Sequence, residues 1–320
     1  MNKATPKIAV IGAGAWGTAL AVLNARAGKH VTLWARDAAR AAAMRSTREN
    51  PRLPGILLPE NLVITDTMPE ADILLLAVPM QHLRDISQSI PGHVPVVLCA
   101  KGLESGSCLL PPELFPGRAT AILTGPNFAH EIAAFLPAAA VLATPDAALR
   151  AHLMSALKTS TLRLYGSPDI IGAALGGAAK NVIAIAAGVV IGAGLGENAR
   201  AALITRGIVE IARLATALGG RAKTVSGLSG LGDLLLTCTG ASSRNFSLGH
   251  ALGQGKSLQA ILATRSSVTE GVATAPALLA RAQAAGADMP ITEAVTKLLA
   301  SEMDIAETMA ALMGRALKDE

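Results

Sequence analysis

The chain has 320 residues, enough for two domains that each bury a core. Half of the residues are hydrophobic and only 2% are aromatic, which favours α/β layers and packed helices over an aromatic-rich β sandwich. The net charge of +5 suits an anionic ligand, but no stretch interleaves aromatic with basic residues, so a base-stacking nucleic-acid surface is not expected. Cys99, Cys108 and Cys238 lie far apart without CxxC spacing, so reduced thiols in a cytosol are expected and no metal site. The start, MNKATPKIAVIGAG, has no apolar core or cleavage site of a signal peptide, and a cytoplasmic location is expected.

Residues 7–11 (KIAVI) read as a short buried parallel strand. It breaks at Gly12-Ala-Gly14-Ala15-Trp16-Gly17, continues as the helix-forming TALAVLNARAG up to Gly28, and a second strand follows at 30–34. That strand–glycine turn–helix–strand order is the context of a dinucleotide-binding fingerprint. Gly12 makes the tight turn, Gly14 admits a pyrophosphate to the backbone N–H groups, and Gly17 lets helix and strand pack closely. A flavin or mononucleotide site on the same fold is the alternative. After the second strand comes Arg36-Asp37. An acid there would hold ribose hydroxyls, whereas Arg accommodates a 2′-phosphate; Arg36 therefore favours NADP(H), with NAD(H) tolerated. The other reading is a solvated Arg36 and an Asp37 that caps the next helix.

Prolines and a glycine make 50–59 a loop, and strands are expected at 62–65 and 72–78. Helical spacing over 80–90 leads to a strand at 94–100 that ends on Lys101, at the strand edge where ligands gather in open α/β sheets. An exposed loop lysine is the plainer reading of Lys101. Strand 119–123 runs into Thr124-Gly125-Pro126-Asn127-Phe128-Ala129-His130-Glu131, with Asn127 a helix cap or a ligand contact and His130 structural. Strands at 138–143 and 162–165, with a helix at 145–158, complete the sheet.

Beyond Pro168 no strand is apparent, and the boundary falls near residue 170: a dinucleotide-binding domain over 1–170 and a helical substrate domain over 171–320. The second half opens with Leu175–Gly196, LGGAAKNVIAIAAGVVIGAGLG, whose one charge is Lys180, next to Asn181. An unpaired buried ammonium is costly, so Lys180 needs a cleft or a counter-charge. A membrane span needs about 20 apolar residues. Only 14 run uninterrupted from Val182 to Leu195, and Glu197, Asn198 and Arg200 follow. Gly188 and Gly192 suit a membrane helix pair or a tightly packed soluble core. A buried helix whose lysine snorkels to its end is a further reading.

Helices are expected at 198–218, 231–237, 257–263, 272–285 and 290–299, with a last one up to 317. Two polar insertions interrupt them. In SGLSGLGDLLLTC, Asp233 is a counter-charge for Lys180 or a helix cap. In GASSRNF, Ser243, Arg244 and Asn245 form a phosphate-donor cluster or a surface turn.

Together GAGAWGTALA, LWARD, AKGLE, TGPNFAHE, the long Lys180 segment, GLSGLGDLLLTCTG, SSRNFSLG and TEGV resemble bacterial NAD(P)-dependent glycerol-3-phosphate dehydrogenases over essentially the whole chain. The Lys180, GLGDL and SRN motifs are specific to that family; the glycine fingerprint is not. The resemblance implies an N-terminal Rossmann-type, mostly parallel sheet followed by an all-α domain. It implies Lys180 as catalytic acid/base, and Lys101, Gly125, Asn127, Asp233, Ser243, Arg244 and Asn245 around glycerol 3-phosphate or dihydroxyacetone phosphate. Gly12, Gly14, Ala15, Trp16, Gly17, Arg36, Lys101, Ala129, Arg244, Val268 and Glu270 would line NADP(H) or NAD(H). A cytoplasmic homodimer making glycerol phosphate for phospholipid synthesis is implied as well. Two departures stand out: Thr124 replaces the family's usual Ser, and Arg52 stands where a Tyr often precedes Leu-Pro-Gly. A hydroxy-acid dehydrogenase of the same plan, a nicotinamide-sensing module without turnover, and a membrane protein are the rival readings.

Overall fold

A computed structural model describes residues 5–240, 242–265 and 269–314. The chain divides into two compact units. One comprises the residues up to Lys101 together with Pro111–Ile170; the other comprises Gly102–Leu110 together with the residues from Ile171 onward.

The first unit is a sheet of eight strands with helices on its faces. In chain order it holds β1 (Ile8–Ile11), α1 (Ala15–Arg26), β2 (Val31–Trp34), α2 (Ala38–Thr47), β3 (Leu62–Thr65), β4 (Ile73–Leu76), α3 (Leu83–Ser89), β5 (Val96–Leu98), β6 (Thr120–Thr124), α4 (Ala129–Ala133), β7 (Ala138–Ala143), α5 (Ala147–Leu157) and β8 (Leu162–Ser167). The strand order is β3-β2-β1-β4-β5-β6-β7-β8. All neighbours pair parallel except β6 with β7. The central strands β1 and β4 are buried along their whole length, as unbroken apolar runs covered on both faces must be. Ile11 pairs with both Trp34 and Leu76, so the carboxyl ends of β1, β2 and β4 are level. The chain lays β2 and β3 to one side of β1 and then β4 and β5 to the other, so the strand order reverses between β1 and β4, which is where such folds hold ligands.

For two of the helices the sequence offered a candidate cap. Asp37 is the cap of α2, its carboxylate accepting from the Arg40 N–H at 2.8 Å; only Ala41 and Met44 of that helix are buried, too thin an apolar stripe to read. Asn127 is not a cap: Phe128 occupies that position at α4, and the Asn127 amide donates to the Ala139 carbonyl at 3.1 Å.

The second unit is helical: α6 (Ile170–Gly192), α7 (Gly196–Ala217), α8 (Ala222–Val225), α9 (Asp233–Thr239), α10 (Arg244–Gly253), α11 (Leu258–Ala263), α12 (Glu270–Ala284), α13 (Pro290–Leu299) and α14 (Ile305–Met313). A π-helical turn, Leu228–Gly232, leads into α9. Helix α6 is long and apolar enough to cross a membrane, yet 94% of its most apolar window is buried within the fold. A helix that is apolar all round and buried all round is a core helix, and α7, α10 and α12 pack against it. The segment expected to be a polar insertion after Ser243 is the start of α10. Ser243 caps it by accepting from the Phe246 N–H at 3.2 Å, and Phe246, Leu248, Gly249 and Leu252 turn inward.

One buried carboxylate braces this unit. Glu210 on α7 accepts the Ile291 and Thr292 N–H groups at 2.7 and 3.3 Å, at the first turn of α13. Burial pushes its pKa up to about 7, against the opposite pull of those two N–H donors and of Arg213. A carboxyl whose pKa is higher folded than unfolded favours the native state at low pH, and that contribution is lost as pH rises through the folded value. Relative to Glu210→Gln, the wild type should therefore lose stability between pH 4.5 and about 7, by on the order of 3 kcal/mol. Denaturant titrations of both proteins across that range measure it; a difference that does not change with pH contradicts it.

Candidate active site

In the first unit the sequence-named residues lie along the carboxyl ends of the parallel strands. The turn after β1 is built around glycine. Gly12 has φ +112°, and a Cβ there would sit 2.6 Å from the Ala77 carbonyl oxygen; one on Gly17 would sit 2.0 Å from the Gly12 oxygen. Gly14 is different: nothing lies within 4 Å of where its Cβ would be. Helix α1 begins there with no side-chain cap and no acid in its first turn. Its first N–H groups and the positive end of its dipole therefore face an open cradle, which fits a dinucleotide pyrophosphate. Ala15 and Trp16 form that first turn, half-buried.

Arg36 stands exposed past the end of β2. Lys101 follows β5, and its ammonium donates to the Gly125 carbonyl at 3.3 Å. Gly125, φ +139°, ends β6 beside Asn127. Thr124 Oγ1 and Asn127 Oδ1 are buried there without a hydrogen-bond partner, a polar vacancy suited to a ligand hydroxyl or amide. Ala129 begins α4. His130 is exposed, stacked on Phe128 and 3.8 Å from Glu131, as a structural histidine would be.

The second unit gathers the rest. Lys180 is 7% exposed in the middle of α6. Its ammonium is paired with the Asp233 carboxylate and donates to Thr237 Oγ1 at 2.9 Å. Asp233 is the first residue of α9, buried, and does not serve as a side-chain cap. The Thr237 hydroxyl, one turn later, donates its hydrogen bond to the Asp233 carbonyl at 2.6 Å. The carboxylate supplies the counter-charge without which the buried ammonium would be strongly destabilising.

One residue on, Asn181 Oδ1 accepts from the Asn245 amide at 3.0 Å, and Asn245 Oδ1 accepts the Gly271 N–H at 3.1 Å. Lys180, Asn181, Asp233, Ser243 and Asn245 are thus buried polar groups in one neighbourhood, with Arg244 exposed beside them. Glu270 begins α12 next to Gly271, and Val268 lies outside the described residues. Cys238 is adjacent, but burial pushes its thiol up to about 12 despite Lys180 and Arg200, so it is no nucleophile at neutral pH.

The chain matches two family models, the NAD-dependent glycerol-3-phosphate dehydrogenase N-terminus over residues 7–150 and its C-terminus over residues 169–310. It is 61% identical to the glycerol-3-phosphate dehydrogenase [NAD(P)+] of Acidiphilium cryptum (strain JF-5), with 99% of each chain covered. It is 54% identical to that of Gluconobacter oxydans (strain 621H), with 97% of each covered. The chain belongs to the NAD(P)-dependent glycerol-3-phosphate dehydrogenase family. A solved glycerol-3-phosphate dehydrogenase from Coxiella burnetii superposes with a TM-score of 0.92 at 34% identity, covering 97% of this chain and 99% of that one.

What places the family's polar residues together in this chain is a crossing of two glycine-rich helices. A Cβ on Gly188 would lie 2.1 Å from the Phe246 carbonyl oxygen, and one on Gly192 would lie 2.1 Å from that of His250. From the other side, a Cβ on Gly249 would lie 1.9 Å from the Ile185 oxygen, and one on Gly253 would lie 2.5 Å from that of Val189. Helices α6 and α10 therefore meet backbone to backbone through two small-xxx-small pairs. This contact brings the first turn of α10, with Ser243 to Asn245, up to Lys180 and Asn181. Sequence reasoning found one of the two pairs and missed its partner, because Gly249 and Gly253 weaken the helical signal of the segment that carries them. It also missed Thr237, whose spacing of four from Asp233 on one helix was the available sign. Gly249→Ala should lower the unfolding free energy by at least about 1–3 kcal/mol by forcing the helices apart. An unchanged thermal midpoint would show that the crossing has slack.

Proposed function

We propose that the protein interconverts dihydroxyacetone phosphate and sn-glycerol 3-phosphate with NAD(P)(H), with Lys180 as the acid/base. The observation that carries the reading is a buried ammonium, held by Asp233 and Thr237, beside a helix start that bears Ser243, Arg244 and Asn245. Bound NAD(P)(H) supplies or takes up the hydride at the central carbon of the substrate. Reduction also needs a proton at the ketone oxygen. Lys180 Nζ gives it, stabilising the developing alkoxide as it does so, and solvent restores the proton afterwards. Asp233 and Thr237 fix the direction of the ammonium, since both are themselves held on one turn of α9. The Asn181–Asn245 pair orients the substrate hydroxyl groups.

Arg244 grips the phosphate, aided by the N–H groups at the start of α10. Lys101, Gly125 and Asn127 complete the substrate set. The glycine turn with Ala15 and Trp16, together with Arg36, Ala129, Arg244, Val268 and Glu270, attends the cofactor. A cytoplasmic homodimer that works in the reductive direction, and so feeds phospholipid synthesis, accords with the family and with three cysteines that form no disulfide.

Lys180→Ala should lower kcat by about 10²–10⁴-fold or more in the assay at 340 nm, with the dissociation constant for NADPH little changed. Unaltered turnover removes Lys180 from the chemistry. Arg244→Ala should raise KM for dihydroxyacetone phosphate by about 10–100-fold and leave the slow reaction of dihydroxyacetone itself unaffected. Equal losses with both substrates contradict the phosphate contact.

A further inference from the structure

Loop 50–59 takes no part in the proposed chemistry, yet it sends one buried side chain into the fingerprint turn. Asn50 is 1% exposed. Its amide nitrogen donates to the Ala13 carbonyl at 3.2 Å and to Thr18 Oγ1 at 2.7 Å. Its amide oxygen accepts the Arg52 N–H at 3.1 Å, which fixes the way the amide faces. Both amide protons of Asn50 are thus spent on the β1–α1 turn, 37 and 32 residues away in the chain.

The two acceptors bear on the peptide groups that flank Gly14. The Ala13 carbonyl belongs to the peptide that enters Gly14. The Gly14 carbonyl belongs to the peptide that leaves it, and accepts the Thr18 N–H at 2.9 Å. One asparagine therefore restrains both planes, the first directly and the second through Thr18. In a trans peptide the N–H points opposite to its carbonyl. The Gly14 N–H is thereby turned away from Asn50, and the Ala15 N–H out of the open end of α1. Glycine makes such a hold necessary. Gly12 and Gly17 close the turn by lacking side chains, but the same lack lets the neighbouring peptides rotate freely. Hydrogen bonds on buried acceptors supply the restraint that side chains cannot.

We infer that Asn50 is a positioning residue for the dinucleotide: through Ala13 and Thr18 it aims the N–H groups of the fingerprint turn at the pyrophosphate. The inference rests on the reading of the first unit as a dinucleotide site, and deepens it. Asn61 is its natural control. It too donates its amide to a carbonyl of α1, that of Ala25 at 2.8 Å, but in the last turn of the helix. It ties the chain to α1 without touching the fingerprint.

The test is a fluorescence titration of NADH and NADPH, with competition by ADP-ribose, against the full chain and its Asn50→Ala, Thr18→Val, Thr18→Ser and Asn61→Ala variants. The thermal midpoint of each is measured without ligand. ADP-ribose keeps the pyrophosphate and lacks the nicotinamide. Asn50→Ala should raise the dissociation constants of all three alike, by about tenfold or more, while KM for dihydroxyacetone phosphate at saturating cofactor moves by less than about twofold. Thr18→Val should raise all three by about threefold or more, and Thr18→Ser, which keeps the hydroxyl, by less than about twofold. Asn61→Ala should leave all three unchanged, whatever it does to the thermal midpoint. An Asn50→Ala protein that loses only thermal stability, or an equal loss of binding in Asn61→Ala, overturns the inference. So does a loss with NADH that ADP-ribose does not share. Where Asn50→Ala fails to fold, the Thr18 pair decides, and equal binding by the Val and Ser variants overturns the inference. A wild type that binds none of the three overturns the dinucleotide reading instead.

Discussion

The second unit is organised around one ammonium–carboxylate pair enclosed by apolar helices. Helix α6 is buried from Gly172 to Val190, and Lys180 sits near the middle of that span. An ammonium at such a place is tolerable only with a carboxylate against it and further acceptors within reach. Asp233 and Thr237 meet both needs from a single helix turn, since residues four apart share a face. Replacing such a pair by apolar side chains is often neutral or stabilising, so its presence in the core points to a chemical use rather than to stability.

Glycine is the means by which that pair acquires neighbours. Side chains of ordinary size would hold α6 and α10 about 8–10 Å apart. With glycines at 188, 192, 249 and 253 the two backbones touch, and the Asn181–Asn245 hydrogen bond spans the gap at 3.0 Å. The same logic of absent side chains acts in the first unit, where Gly12 and Gly17 allow the β1–α1 turn to close and Gly14 leaves its outer side open. In one unit glycine excludes space between protein elements; in the other it reserves space for a ligand.

Much of this was legible in the order of residues. Unbroken β-branched and apolar runs of four or five specify buried parallel strands, and all eight strands of the sheet lie within or beside the runs read for them. The fingerprint glycines and the lone lysine in a long apolar helix announce themselves, because each breaks a rule of composition that a plain core would obey. The segments that escaped are those whose composition serves packing or capping instead of propensity. Helix α2 has too few buried residues to show a stripe, and α10 carries two glycines where a helix former would be expected.

The sequence by itself determined the kinds of element, their order, the family, and which polar residues lack an ordinary structural explanation. The tertiary structure decided that Asp233, which the sequence left as a counter-charge or a helix cap, answers Lys180, across 53 residues of chain. It alone decided that Gly188 and Gly192 face a second glycine pair and not a membrane, and that Asn50 ties a distant loop to the fingerprint turn. Periodicity and local propensity reach over a few residues. Such pairings are settled by which surfaces can be buried together without leaving a charge or a hydrogen-bonding group unanswered, and that is a property of the assembled fold.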